Sequence, residues 1–220
     1  MNQRTVRSFV RRSGRQTPAQ QRALLELWPR YGVPNATGLI EFSVLFGRIA
    51  PVTLEIGFGN GDHLAARAQA EPERNFLGIE VHRPGIGHLL RSAAAADLAN
   101  LRVIEQDAVE VLASRIAPDS LDEAQILFPD PWPKKRHHKR RLIQPEFVAL
   151  LANRLRIGGR LHLATDWEPY AQQMRAVLDG CPQLATATGG HAPLRAATRF
   201  ERRGLRLGHG VCDLVFERVR

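Results

Sequence analysis

The chain has only two cysteines in 220 residues, Cys181 and Cys212, and no Cys-x-x-Cys pair. This excludes a disulfide framework and an ordinary zinc site, and it fits the reduced thiols of a cytoplasmic protein. No apolar run approaches the roughly 20 residues of a membrane span, so no membrane partner is expected. The N-terminus lacks the apolar stretch of a secretory signal, although its Arg-rich, acid-poor first fifteen residues would also suit an organellar transit peptide. The eight histidines show no ligand spacing, and no metal is expected. With 44% hydrophobic and 24% charged residues the composition is neither disordered nor fibrous, and the length suits one α/β domain.

Charge is the unusual quantity. The formal net charge is +9, which points to a polyanionic partner. It is unevenly spread. Residues 1–30 hold seven Arg and one Glu, whereas residues 50–130 hold six Arg against thirteen acids. Residues 131–145 then carry Lys134, Lys135, Arg136, Lys139, Arg140 and Arg141 without a single acid. Two short basic segments therefore flank an acidic centre, more than a merely solvated surface calls for.

From residue 52 onward, short β-branched apolar runs alternate with amphipathic stretches. The runs 52–59 (VTLEIGFG), 75–81 (NFLGIEV), 101–107 (LRVIEQD), 123–130 (EAQILFPD) and 159–166 (GRLHLATD) read as five buried strands. Helices are expected near 84–98 and 145–156, the second opening on Pro145 and closing at Gly158. This alternation predicts an α/β fold with a mostly parallel, doubly wound sheet. A last strand near 211–219 is expected to close the sheet, antiparallel beside another near 183–188. Residues 1–45 fit the alternation poorly. They read as a basic, partly mobile N-terminal arm with one short helix at 19–27, leading into a domain of 46–220.

Ligands of open parallel sheets bind outside the carboxyl ends of the strands. The first strand runs there into Glu55-Ile56-Gly57-Phe58-Gly59-Asn60-Gly61. A dinucleotide fingerprint needs G-x-G-x-x-G, but position 62 is Asp62. Glu80, Asp107, Asp130 and Asp166 end the next four strands, and Glu80 is placed to accept from ribose hydroxyls. Any one of these acids could simply cap a helix. Four in series, with Glu55 behind the glycines, would repel a pyrophosphate and suit the sulfonium and ammonium groups of S-adenosylmethionine.

After the fourth strand the sequence reads FPDPWPKKRHHKRR over 128–141. This run resembles the signature of the tRNA (guanine-N7)-methyltransferase family. The likeness continues at Thr165-Asp166, at Arg195-x-x-Thr198-Arg199-Phe200-Glu201 and at Leu207-Gly208-His209-Gly210-Val211, and it reaches back to Arg7-Ser8-Phe9-Val10. The resemblance implies a Rossmann-like class I S-adenosylmethionine-dependent methyltransferase acting on a variable-loop guanine of tRNA. It implies that Glu55, Gly57, Gly59, Glu80, Asp107 and Asp130 hold the cofactor, and that Asp130 is the catalytic residue. Lys134, Asp166, Thr198, Arg199, Phe200 and Glu201 would hold the substrate. Arg136, His137, His138, Lys139, Arg140 and Arg141 would touch RNA. Asp130, Asp166 and Glu201 are the candidates for gripping the guanine edge, and Trp132 and Phe200 could stack the flipped base. A nicotinamide-dependent oxidoreductase and a nonenzymatic RNA-binding module are the rival readings of the same fold.

Overall fold

The computed structural model describes residues 16–187 and 210–220. Three helices come first, α1 (Pro18–Glu26), α2 (Trp28–Tyr31) and α3 (Phe42–Phe46). The alternation then begins with β1 (Val52–Ile56), α4 (Asp62–Ala70), β2 (Asn75–Ile79), α5 (Arg83–Ala95), β3 (Leu101–Ile104) and α6 (Ala108–Ser114). It continues with β4 (Leu121–Leu127), a 3-10 helix (Lys135–Arg140), α7 (Pro145–Arg154), β5 (Leu155–Thr165), α8 (Glu168–Asp179), β6 (Leu184–Thr186) and β7 (Cys212–Arg218).

The seven strands form one sheet in the order β3-β2-β1-β4-β5-β7-β6. Strand order reverses between β1 and β4, the position at which doubly wound sheets open a ligand crevice. Strands β1 to β5 pair in parallel, and β7 runs antiparallel to both of its neighbours. All five residues of β1 and of β2 are buried, as parallel strands covered by helices on both faces must be. Two hydrophobic clusters lie on the two faces. One joins residues of α1, α4 and α5 to Phe76 of β2 and to Leu101 and Val103 of β3, and the other joins α6, α7 and α8 to residues of all seven strands, Leu77, Ile79 and Ile104 among them.

The five parallel strands fall where periodicity places them, though β4 runs from Leu121 to Leu127 rather than over 123–130. β5 starts at Leu155 rather than 159, because the chain leaves α7 directly into the sheet and takes up the mismatch as a register shift opposite Leu121 and Glu123. The final strand is present and pairs antiparallel with β6, as expected. It lies between β5 and β6, which makes β6 the edge.

The described part of the expected arm is built into the body. Thr17 and Gln20 form a reciprocal capping box that starts α1. α1 packs so closely on α5 that a Cβ on Gly87 would come within 2.8 Å of the Gln20 carbonyl oxygen. Tyr31 is fully buried, and the Val33 N–H donates to the Val103 carbonyl at 2.8 Å, extending the β3 edge. From Thr17 on the segment is thus a covering layer, held by burial that its Pro- and Gly-punctuated sequence disguises. Residues 1–15, where the arm is most basic, lie outside the described residues.

Candidate functional site

The turn after β1 has two sides. Gly57 and Gly59 adopt φ of 74° and 59°, which L side chains rarely take, and a Cβ on either would meet nothing within 4 Å. That side is open at the carboxyl edge of the sheet. The opposite side is packed, since a Cβ on Gly85 of α5 would overlap the Gly59 carbonyl oxygen. The turn is therefore supported from behind while its front admits a flat ligand close to the backbone, which fits the cofactor expected there.

The acids along this edge do different things. Glu80, directly after β2, is wrapped in backbone donors: its Oε2 accepts from Gly59 N–H at 2.8 Å, and its Oε1 accepts from Val81 N–H at 2.7 Å and His82 N–H at 3.0 Å. Glu55 is buried within β1, and its Oε2 lies 3.0 Å from Nδ1 of His63. Asp107 caps α6, accepting from Val109 N–H at 2.8 Å, so the capping role open to any single acid is realised there. Asp130 is exposed, three residues beyond β4, in a segment bent by positive φ at Phe128 and Trp132. Asp166 lines a cleft of about 400 Å³ together with Trp167, Glu168, Pro169, Gly210, Val211 and Cys212. The cleft lies where β5, the start of α8 and the start of β7 meet. Neither Lys134 nor Asp130 is among its described lining residues. Thr198, Arg199, Phe200 and Glu201 lie outside the described residues.

The basic run folds around Trp132. Its ring stands edge-on to His137, with centroids 5.8 Å apart, and Arg140 lies 5.1 Å from its centroid. Trp132 thus finds its described ring partners inside its own loop. Lys134, Lys135, Arg136 and Lys139 are exposed, while His137, His138 and Arg140 are half-buried. Desolvation, then the charges of Arg136, Arg140, Lys134 and Lys139, hold His137 below the usual imidazole range.

One expected RNA contact is corrected. Arg141 is only 3% exposed. Its Nε donates to the Pro131 carbonyl at 2.8 Å, its Nη1 donates to Gln173 Oε1, and the guanidinium lies 4.8 Å from the Tyr170 ring centroid. Burial raises the Tyr170 hydroxyl to about 12, so the ring beneath Arg141 stays neutral. Arg141 anchors the basic loop to α8. In sequence it is one of six equal cations, and only the depth of the loop separates it from the rest.

Sequence reasoning also missed His63, Trp167 and Glu168. The last two directly follow Asp166, so the end of the fifth strand was a sufficient signal. His63 falls two residues past the last glycine of the turn, on the first turn of a helix that must pack on the sheet. Beneath it, Arg67 bridges Glu71 and Glu123 at 2.7 and 2.8 Å. Burial pushes the Glu123 carboxyl up, but hydrogen bonds and charge from Arg67, with help from Gln125 and Arg74, outweigh it and hold the group below the ordinary range. Among the described residues no group of three or more possible metal ligands occurs, and no helix is long and apolar enough to cross a membrane.

The model of a family described as "Putative methyltransferase" matches residues 49–214. The tRNA (guanine-N(7)-)-methyltransferase of Nitrosococcus oceani is 56% identical over 218 residues, covering 98% of this chain and 92% of the relative. That of Paraburkholderia xenovorans is 55% identical, covering 99% and 85%. Among solved structures, the 16S rRNA methyltransferase KamB matches with a TM-score of 0.62 at 17% identity, over 87% of this chain and 99% of that one, which speaks for the fold alone. With identity of this order over nearly the whole chain and a matching family model, the chain belongs to the tRNA (guanine-N7)-methyltransferase family.

Proposed function

We propose that the protein transfers the methyl group of S-adenosylmethionine to N7 of a guanine in tRNA, the variable-loop guanine implied by the sequence resemblance. The observation that carries this reading is the near-full-length identity to relatives with that activity in their names. It leaves no room for the oxidoreductase or the nonenzymatic RNA-binding module. S-adenosylmethionine brings a methyl group on a cationic sulfonium. The open face of Gly57 and Gly59 beside Glu80 suits its flat, hydroxyl-bearing part, and Glu55, Asp107 and Asp130 complete the acidic surround.

Guanine N7 has a lone pair and no proton, so no residue has to act as a base. The work of the chain is to orient two ligands and to hold charge. A carboxylate that accepts from N1–H and N2–H grips guanine by the edge opposite N7 and rejects adenine, whose N1 is an acceptor. Asp166 in its cleft, Asp130 and Glu201 are our candidates for that grip, with Lys134 and the stretch 198–201 on the substrate. Negative charge beside the purine also stabilises the positive charge that develops on it. Arg136, Lys139 and Arg140, with His137 and His138, supply the RNA surface, and catalysis is assigned to the domain 46–220.

The test is incubation of unmodified tRNA with methyl-labelled S-adenosylmethionine, followed by nucleoside mapping. Label in 7-methylguanosine at one variable-loop position is the expected result. Label at another nucleoside, or none, overturns the reading.

A further inference from the structure

Glu55 and His63 bracket the glycine turn in sequence, and the fold joins them behind it. Glu55 is the fourth residue of β1, and His63 is the second residue of α4. His63 Nδ1 lies 3.0 Å from Glu55 Oε2, and both side chains are 5% exposed. An ionised carboxylate only accepts, so Nδ1 carries the shared hydrogen. Among the described residues, this is the only hydrogen bond or ion pair that the Glu55 side chain makes. Its register neighbour on β4 is Gln125, whose amide nitrogen donates to Glu123 and whose Oε1 is buried without a partner. Gln125 therefore gives Glu55 no described hydrogen bond.

His63 itself is expensive as a packing residue. Its Nε2 is buried with no partner, a cost that an apolar side chain of similar size would avoid. What the histidine does that leucine could not is donate to Glu55. Without that donor the Glu55 carboxylate would be buried in the strand with no described hydrogen-bond partner to hold its position at the turn.

We propose that His63 is a positioning residue for the methyl donor: its ring N–H fixes the Glu55 carboxylate in place, and Glu55 in turn receives the ammonium end of S-adenosylmethionine. This rests on the reading that Glu55 lines the cofactor site. The chain thereby ties cofactor affinity to a residue outside the glycine motif, carried by the helix that the motif starts.

The test compares His63→Leu, His63→Gln and Glu55→Gln in the full chain, with thermal melts confirming folding. Cofactor affinity is read by calorimetry, and kcat and KM by steady-state methylation. His63→Leu should weaken S-adenosylmethionine binding about tenfold or more and raise its KM alike, with kcat at saturation and KM for tRNA within about twofold. His63→Gln, which retains an N–H donor, should recover most of the affinity. The double variant His63→Leu/Glu55→Gln should lose no more than Glu55→Gln alone. A readout on the unaltered protein stands beside these: the His63 imidazole nitrogen resonances should shift when S-adenosylmethionine is added, and should not shift in Glu55→Gln. Unchanged affinity in His63→Leu, or silent His63 resonances, overturns the proposal while Glu55→Gln still binds weakly. Unchanged affinity in Glu55→Gln sinks the cofactor-site reading of Glu55 and the proposal with it.

Discussion

Glu80 Oε2 accepts the Gly59 N–H at 2.8 Å, so the second strand's acid is part of the first strand's turn. With Val81 and His82 on Oε1, three backbone donors already occupy a carboxylate that offers about four lone-pair directions. The proposed ribose hydroxyls would share the acceptor capacity that these three donors leave. Glu80→Ala should weaken S-adenosylmethionine binding by about 1.5–3 kcal/mol, the scale of a charge-assisted bond, and leave tRNA affinity nearly intact. Calorimetry checks this. Full cofactor affinity in the variant would confine Glu80 to holding the turn.

The same turn makes a residue that touches no ligand decisive. A Cβ on Gly85 would overlap the Gly59 carbonyl oxygen, which is backbone and cannot swing aside. Gly85→Ala must therefore push α5 away or deform the turn, an overpacking cost of about 1–3 kcal/mol. Denaturant melts should show that loss, and cofactor affinity should fall by at least about tenfold because Gly57 and Gly59 move with the turn. A variant with normal affinity would show that the front of the turn tolerates displacement of its back.

Parallel strands and their order of acids were legible because a buried strand advertises itself by apolar runs, and its ligand edge by glycines and carboxylates. Depth was not. Arg141 and Arg140 are chemically alike in sequence, yet one is buried over Tyr170 and the other lies beside Trp132. Residues 1–45 read as an arm because they fit the strand–helix alternation poorly. Its attachment depends on Tyr31, Val33 and the free edge of β3, contacts distant in sequence. His63 escaped notice for the same reason, since its partner is eight residues back in a strand.

The basic loop separates surface cations from the buried one. Removing one phosphate-binding cation should reduce the salt dependence of tRNA binding by about 0.9 for a duplex, somewhat less for single strands. Neutralising Lys135, Arg136 and Lys139 together should flatten the slope of log affinity against log salt. Arg141→Ala should leave that slope unchanged but lower the thermal midpoint, because it strands Gln173 and the Pro131 carbonyl. A slope equal to the wild type's in the triple variant would reduce the loop to solvated surface.

Beneath the turn, Glu123 gives stability a defined pH dependence. Its folded-state carboxyl is held below its ordinary value, so the stabilisation is present above that value and is lost as pH falls through the folded one. Glu123→Gln should cost about 1.5–3 kcal/mol near pH 7, the scale of a charge-assisted hydrogen bond, since Arg67 keeps Glu71 as a close ion pair. The gap between variant and wild type in urea melts should narrow as the buffer is taken below about pH 4. A gap constant from pH 7 to pH 3 would mean that shape rather than charge is lost.

Asp130 tests whether a strand-end acid acts in chemistry or in assembly. It is exposed beyond β4 and followed by the bend at Trp132 that launches the basic loop, so it stands between the proposed cofactor turn and the RNA surface. Asp130→Asn keeps the shape and one acceptor oxygen, removes the charge and presents an NH2 group to guanine's own donors. Its effect should therefore appear in the transition state more than in ground-state binding. The single-turnover rate should fall at least about a hundredfold, the scale seen when one preorganised electrostatic group is lost. tRNA affinity should change by less than about 1 kcal/mol, because phosphate contacts dominate it. If the Asn variant methylates at close to the normal rate with both ligands saturating, the guanine grip moves to Asp166, whose cleft beyond the end of β5 is already walled by Trp167 and Val211, or to Glu201.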